Sequence, residues 1–420
     1  MIQILQNPSR DTWEALCRRP ASDNPVVLER VKGILRRVKE QGDEALRALS
    51  LEIDGRPLDA IEVGQAEIRQ AEELVSPAVK AAVADAAAHI RAFHEAQKPR
   101  EISMETAPGV RCIQRPVPIQ RVGLYIPGGS APLFSTVLML ALPAQIAGCP
   151  EVVLCTPAQS PEVLYAAAVC GVHRIFRLGG AQAIAAMAYG TESVPRVDKI
   201  FGPGNQYVTT AKQLLSADTV AIDMPAGPSE VMVIADSTTP AAFAAADLLS
   251  QAEHGPDSQV MLVCESEATC QKILDEVDRQ TALLPRSAIA LQALEKSRAF
   301  IFGPEETVAF ANTYAPEHLI IATESPWNIA NRITNAGSVF VGPYTPESAG
   351  DYASGTNHTL PTCGWARAFS GVNLDSFYRK MTLQEITREG LKGLSATIID
   401  MAQAEGLQAH ANAVKVRTNE

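Results

Sequence analysis

Val117-Pro-Ile-Gln-Arg-Val-Gly-Leu-Tyr-Ile-Pro-Gly-Gly129 decides the fold. Val117, Ile119, Val122, Leu124 and Ile126 are interleaved with other residues, a period moving toward two, until Pro127-Gly128-Gly129 ends the run. That is a strand feeding a glycine turn. Further along, short apolar segments at 152–154, 175–178, 220–222, 231–234, 260–263, 319–321 and 339–341 alternate with helical stretches. Such alternation predicts parallel sheets with helices on both faces, because each parallel connection needs a crossover. The fold class expected is α/β. Upstream, Val26, Val27, Val31, Ile34, Leu35 and Val38 recur at helical spacing through Ala45 and Leu46 to a turn at Asp54-Gly55, and an Ala-rich helix is expected between Pro77 and Pro99. From Gly371 the strand rhythm is lost and the chain becomes helical and polar, which predicts an appended arm.

The chain has 420 residues, 36 Lys and Arg against 47 Asp and Glu, a net charge of -11 and 46% hydrophobic residues. This balance excludes a disordered polymer and a histone-like nucleic-acid binder, since few unpaired cations remain to neutralise phosphates. No stretch approaches the roughly 20 apolar residues that cross a bilayer. Asn7, Pro8, Arg10, Asp11 and Glu14 interrupt the region where a secretory signal needs an apolar core, so a cytoplasmic location is expected. The eight cysteines contain no C-x-x-C pair and read as small core residues, so a metal would need other ligands.

Ligands of open α/β sheets collect at the carboxyl ends of strands. Five polar or glycine-rich segments near strand ends are therefore candidates: Tyr125-Ile-Pro-Gly-Gly-Ser130, Gly179-Gly-Ala-Gln182, Phe201-Gly-Pro-Gly-Asn205, Met224-Pro-Ala-Gly-Pro-Ser229-Glu230 and Pro316-Glu317-His318. None carries a G-x-G-x-x-G or P-loop pattern. Of the seven histidines, His89 and His94 are expected on the surface of the Ala-rich helix and His173 in a loop. The other four lie among polar residues that can orient a ligand or proton shuttle. Gln251 and His254 follow a helical run at i and i+3, so one cation can reach both; taken alone, an ordinary helix C-terminus stopped by Gly255-Pro256 is the favoured reading. Glu317 and His318 pair a carboxylate with an imidazole at a strand start, suited to water activation and proton abstraction, or simply two solvated groups. Adjacent residues on extended backbone point to opposite sides, so no direct bond between them is required. Asp351 and His358 flank Ser354-Gly-Thr-Asn357 in a loop that also reads as a solvated turn. Glu405 and His410 are five residues apart, about 140° on one helix, unless Gly406 breaks it.

Taken in order, Gly123-Leu-Tyr-Ile-Pro-Gly-Gly-Ser-Ala-Pro-Leu133, Gly179-Gly-Ala-Gln-Ala183, Phe201-Gly-Pro-Gly-Asn205, Gly227-Pro-Ser-Glu230, Gln251-x-x-His254, Pro316-Glu-His318, Asp351-Tyr352 and Glu405-Gly-Leu-x-Ala-His410 resemble the histidinol dehydrogenase family over nearly the whole chain. The resemblance implies oxidation of L-histidinol through histidinaldehyde to L-histidine, the last step of histidine biosynthesis, by a zinc enzyme that reduces two NAD in turn. It implies Gln251, His254, Asp351 and His410 as metal ligands, and Tyr125, Gln182 and Asn205 as NAD contacts. Ser229, Gln251, His254, His318, Asp351, Glu405 and His410 match substrate-binding positions, and Glu317 with His318 match the proton acceptors. His358 is a neighbour of Asp351 without an assigned role. The nitrogen and oxygen ligand set suits zinc and tolerates manganese or cobalt.

The fold implied is a pair of incomplete Rossmann-like domains, like those of aldehyde dehydrogenases, with extensions at both ends. The expected division is an N-terminal extension, 1–22; a larger domain carrying the metal and catalytic residues, 23–124 with 231–370; an NAD domain, 125–230; and a dimerisation arm, 371–420. In the family that arm lends the residues matching Glu405 and His410 to the neighbouring subunit of an intertwined homodimer. Competing readings are an oxidoreductase of the same fold acting on another small alcohol such as a sulfonated diol, a zinc hydrolase using Glu317, and a non-catalytic binding protein. The hydrolase leaves the NAD-matching segments unexplained.

Overall fold

The computed structural model describes residues 2–19, 25–128, 133–157 and 160–419. Two parallel sheets dominate it. The smaller has five strands in the order Arg174–Phe176, Glu151–Cys155, Arg121–Tyr125, Lys199–Phe201, Ala221–Ile222. Numbered by their own succession these run 3-2-1-4-5, a Rossmann order lacking its sixth strand. The larger repeats that order with Glu230–Ala235 as its first strand: Arg298–Ile301, Gln259–Cys264, Glu230–Ala235, His318–Ala322, Ser338–Val341. Its sixth strand is Gln3–Gln6, added parallel to Arg298–Ile301, so the N-terminal segment is part of this sheet.

Both sheets are covered on both faces, which is why Glu230–Ala235 and Gln259–Cys264 are buried at every position and show no period of two. On one face of the smaller sheet Val31, Ile34, Leu35 and Val38 share a core with Ile184, Met187 and Phe176; on the other, Val83 and Ile90 share one with Leu124, Leu138 and Leu154. The helices Pro25–Asp54 and Pro77–Glu95 therefore clothe the smaller sheet, whereas the sequence assigned 23–124 to the larger domain. An amphipathic helix signals that it needs a partner surface but not which one. His94 departs from expectation too: it is fully buried, its Nδ1 2.8 Å from the Ile90 carbonyl oxygen, whereas His89 is exposed, as expected, with Nδ1 2.8 Å from the Ala353 carbonyl oxygen.

A three-stranded antiparallel sheet stands apart, with Tyr378–Ile386 paired to Val110–Pro118 and that strand to Ile102–Ala107. The nine-residue strand Tyr378–Ile386 lies inside the arm read as helical and polar. Both its faces are largely solvated, so no apolar alternation betrays it. The arm ends in a helical hairpin, Arg388–Ala404 and Gln408–Thr418, whose small core is its own Ile399, Ala402, Ala411 and Val414. The break expected at Gly406 is present, at φ 75°. Among the described residues no helix is long and apolar enough to cross a membrane.

Candidate active site

The carboxyl edge of the smaller sheet faces the amino edge of the larger one. Tyr125 ends a strand of the first, whereas Glu230 and His318 begin strands of the second. The chain crosses between them directly: Ala221–Ile222 leaves the smaller sheet, residues 223–229, all but Pro225, line a cavity, and Glu230–Ala235 enters the larger. The rule that ligands gather at carboxyl ends thus holds for the first sheet and fails for the second. The second sheet's carboxyl edge is tied shut between its first and fourth strands. Asp236 accepts hydrogen bonds from the Thr238 hydroxyl and from the Glu324 N–H, while the Thr239 hydroxyl donates to the Ala322 carbonyl.

The cavity between the edges measures about 900 Å³ and is lined by Ser229, Gln251, His254, Glu317, His318, Asp351, His358 and Asn205. Gln251 sits in the last turn of the helix Ala241–Ala252 and His254 just past its end, so the stop at Gly255-Pro256 and the shared face are both real. The Gln251 amide Nε2 donates to the Glu230 carbonyl at 3.1 Å and to Glu317 Oε2 at 3.2 Å, and lies 3.1 Å from His318 Nδ1. Glu317 Oε2 also accepts the Glu230 N–H at 2.9 Å. His318 Nδ1 and Glu317 Oε2 are 3.6 Å apart, too far for a direct bond, and both flank the Gln251 amide nitrogen. His318 Nε2 points toward Asp351 Oδ1 at 3.5 Å and has no hydrogen-bond partner.

Burial pushes the Glu317 carboxyl up, partly offset by His318. Burial alone would lower the His318 imidazole, but Glu347, Glu317 and Asp351 around it hold it well above its ordinary value. Asp351, although half-buried, is held below the ordinary carboxylate range chiefly by His318, with His358 and His254 adding to it. His358 is fixed at both ring nitrogens. Its Nδ1 lies 2.9 Å from the Asp351 carbonyl oxygen, which can only accept, and its Nε2 lies 3.1 Å from the Thr136 hydroxyl. Neutral His358 therefore carries its proton on Nδ1 and ties the Asp351 segment to the helix Phe134–Ala147. The adjoining loop is no solvated turn, since Asn357 is buried with its amide donating to the Met139 carbonyl.

Several participants carry no signal in the sequence. Arg19 donates to both carboxylate oxygens of the buried Glu230 and lies 3.7 Å over the Tyr314 ring, anchoring the strand start that feeds Glu317 and Gln251. Glu347, 1% exposed, stands one helical turn before Asp351. Donor atoms of His254, Glu347 and Asp351 lie within 4.8 Å of one another. With Gln251 adjacent, and with Glu347 Oε1 and His318 Nε2 buried without partners, this donor set fits a divalent cation. Cys363 also lines the cavity, but burial pushes its thiol up to about 11, which makes it a poor nucleophile.

A second cavity, about 1000 Å³, lies beyond Asn205 and is lined by Tyr125, Gly180, Gln182, Arg30, Arg56 and Arg177. The Tyr125 hydroxyl accepts the Gly180 N–H at 3.0 Å, and Gln182, 1% exposed, has its Oε1 unpartnered. Asn205 borders both cavities and caps the helix Gln206–Ser216, its Oδ1 accepting from Tyr207 and Val208 N–H at 3.0 and 3.2 Å. Gly202, at φ 125°, has no room for a side chain, because a Cβ there would lie 2.1 Å from the Tyr125 carbonyl oxygen. The buried Lys212 and Asp223 clamp that turn: Lys212 Nζ donates to the Gly202 carbonyl at 2.8 Å and to Asp223, and Asp223 accepts the Gly202 and Met224 N–H groups. Gly129 and Ser130 of the first glycine segment lie outside the described residues. Glu405 and His410 are exposed on the C-terminal hairpin and line neither cavity.

The family model for histidinol dehydrogenase matches residues 17–418. The chain is 53% identical to the histidinol dehydrogenase of Bacteroides thetaiotaomicron, covering 100% of this chain and 99% of the relative. With the Escherichia coli K12 histidinol dehydrogenase it shares 53% identity, covering 96% and 94%. The crystal structure of histidinol dehydrogenase from Elizabethkingia anophelis superposes with a TM-score of 0.96 at 50% identity, covering 100% of this chain and 98% of that one. By these matches, and with Gln251, His254, Glu317, His318 and Asp351 gathered between two facing sheet edges, the chain belongs to the histidinol dehydrogenase family.

Proposed function

We propose that this protein is a zinc- and NAD-dependent histidinol dehydrogenase, oxidising L-histidinol through histidinaldehyde to L-histidine as the last step of histidine biosynthesis. The observation that carries the proposal is the meeting of Gln251, His254, Glu317, His318 and Asp351 on one wall of a cavity whose opposite wall is the Asn205 turn. Gln251, His254 and Asp351, with His410 of a second copy, would hold the ion. When bound, zinc would supply a template for the imidazole and amine nitrogens of the substrate, and NAD the hydride acceptor.

The residues of the chain do the rest. With the carboxylates around it answered by the ion, His318 is neutral and its buried Nε2 accepts the proton of the alcohol as hydride leaves the hydroxymethyl carbon, giving the aldehyde. Glu317, anchored through Oε2 by the Glu230 N–H and Gln251, is placed to take a proton from water as it adds to that aldehyde, while His318 returns its proton to the aldehyde oxygen to complete the hydrate. His318 then takes the hydroxyl proton of the hydrate while the second hydride departs, and water has supplied the second carboxylate oxygen. Tyr125 and Gln182 line the second cavity on the far side of Asn205, an arrangement suited to a dinucleotide reaching from that cavity into the first. Glu405 and His410 sit on a hairpin that packs mainly on itself, which supports a homodimer in which each copy completes the other's site.

The test is NADH formation with L-histidinol before and after chelator treatment. Two NADH per histidinol, lost on chelation and restored by zinc, is the expected result. Zinc-loaded protein that forms no NADH with histidinol would refute the assignment.

A further inference from the structure

We infer that Glu347, outside the ligand set proposed above, is the second anionic group of the cation pocket and sets how tightly the ion is held. The inference rests on the zinc reading of this site. Glu347 and Asp351 are i and i+4 on the helix Glu347–Tyr352 and so present their carboxyl groups on the same side. Glu347 is 1% exposed, and among the described residues its Oε1 has no hydrogen-bond partner and its Oε2 meets only the Ser250 hydroxyl, at a long 3.4 Å. Its donor oxygen lies within 4.8 Å of both the His254 and Asp351 donor atoms.

A carboxylate in such a place needs a compensating charge. Among the described residues no Lys or Arg forms an ion pair with it. The carboxyl groups bearing on it are Asp351, Glu317 and Asp247, the last accepting the Glu347 N–H, and the chargeable imidazoles near it are those of His318 and His254. The pocket thus carries an excess of acids with no fixed cation to answer them. Charge counting gives the same result. Gln251, His254 and a second copy's His410 are neutral ligands and Asp351 contributes one negative charge, so a dication would keep a net positive charge in a buried site. Glu347 makes the set neutral.

The experiment is zinc affinity by competition with a chromophoric chelator, using the full-length protein and its Glu347→Gln variant, with melting curves of both in excess chelator. The variant is expected to bind zinc about 10- to 100-fold more weakly. Without metal it should melt at the same temperature as the wild type or above it, because an unpaired buried carboxyl has been removed; a purely structural residue would instead lower that temperature. Glu347→Gln binding zinc as tightly as wild type would overturn the inference and leave the zinc reading intact. Wild-type protein that binds no zinc would end both. Should the Gln variant not fold, zinc-loaded crystals of the wild type decide the matter: a Glu347 carboxyl turned away from the ion overturns the inference, and one facing it supports it.

Discussion

Asp223→Asn isolates the clamp under the Gly202 turn. In the native protein the side chains of Lys212 and Asp223 are 5% and 1% exposed, and Asp223 accepts the Gly202 and Met224 N–H groups at 2.8 and 2.7 Å besides pairing with the lysine. The substitution removes the negative charge and leaves the ammonium buried against the Gly202 carbonyl alone, which costs about 3–5 kcal/mol. Asn has a single acceptor oxygen, so one of the two N–H groups is also left weaker, a cost of about 1–3 kcal/mol that overlaps the first. A loss of about 4 kcal/mol is therefore expected in urea unfolding followed by circular dichroism. Because the clamped turn carries Asn205, KM for NAD should rise roughly tenfold, about 1.4 kcal/mol of binding, while kcat changes less. The double variant Lys212→Met, Asp223→Leu removes the unpaired charge but leaves the Gly202 and Met224 N–H groups without their acceptor, so it should recover only part of the stability and none of KM. A loss for Asp223→Asn of less than about 1 kcal/mol, the range of an exposed pair, with KM unchanged, would show that the pair does not hold the turn.

Gly180→Ala should cost about 1–2 kcal/mol and weaken NAD binding measured by fluorescence titration, since Gly180 has φ 63° and a Cβ would lie 2.8 Å from Gln182 Oε1; wild-type affinity would contradict the role given to Gln182. Co-expression of His318→Asn and His410→Asn chains, each inactive alone, should restore histidinol-dependent NADH formation in mixed dimers, and no recovery would count against shared sites. With its thiol pushed up to about 11, Cys363 should be about one part in a thousand thiolate at pH 8. Its alkylation by iodoacetamide, read by peptide mass spectrometry, should therefore quicken about tenfold per pH unit up to about pH 10; rapid labelling of the folded protein at about pH 8 would contradict its burial.

The strands legible in the sequence are those with dense apolar content, such as 231–234, 260–263 and 319–321, because sheets covered on both faces leave little room for polar residues. Tyr378–Ile386 and the edge strand Gln3–Gln6 escaped because exposed strands draw their stability from pairing, which no local pattern records. Gln251, His254, Glu317, His318 and Asp351 were recognisable from their motifs, and the structure gathers them at one cavity. Spacing could not show that Glu317 and His318 flank the Gln251 amide, since the three come together by sheet pairing and by the approach of a helix end. Glu347 was invisible for a related reason: a glutamate four residues before an aspartate is common on any helix, and only burial without a partner singles it out.

The seven-residue crossing 223–229 makes the two halves of the site, one on each sheet, covalent neighbours. One end is bolted down by Lys212 through Asp223 and the other by Arg19 through Glu230, so the span resembles a short bridge between two abutments rather than a hinge. Any swing of one lobe against the other has to bend elsewhere in the polypeptide, and the reach from Asn205 to His318 is set by a stiff ribbon whose length evolution can alter only by insertion or deletion.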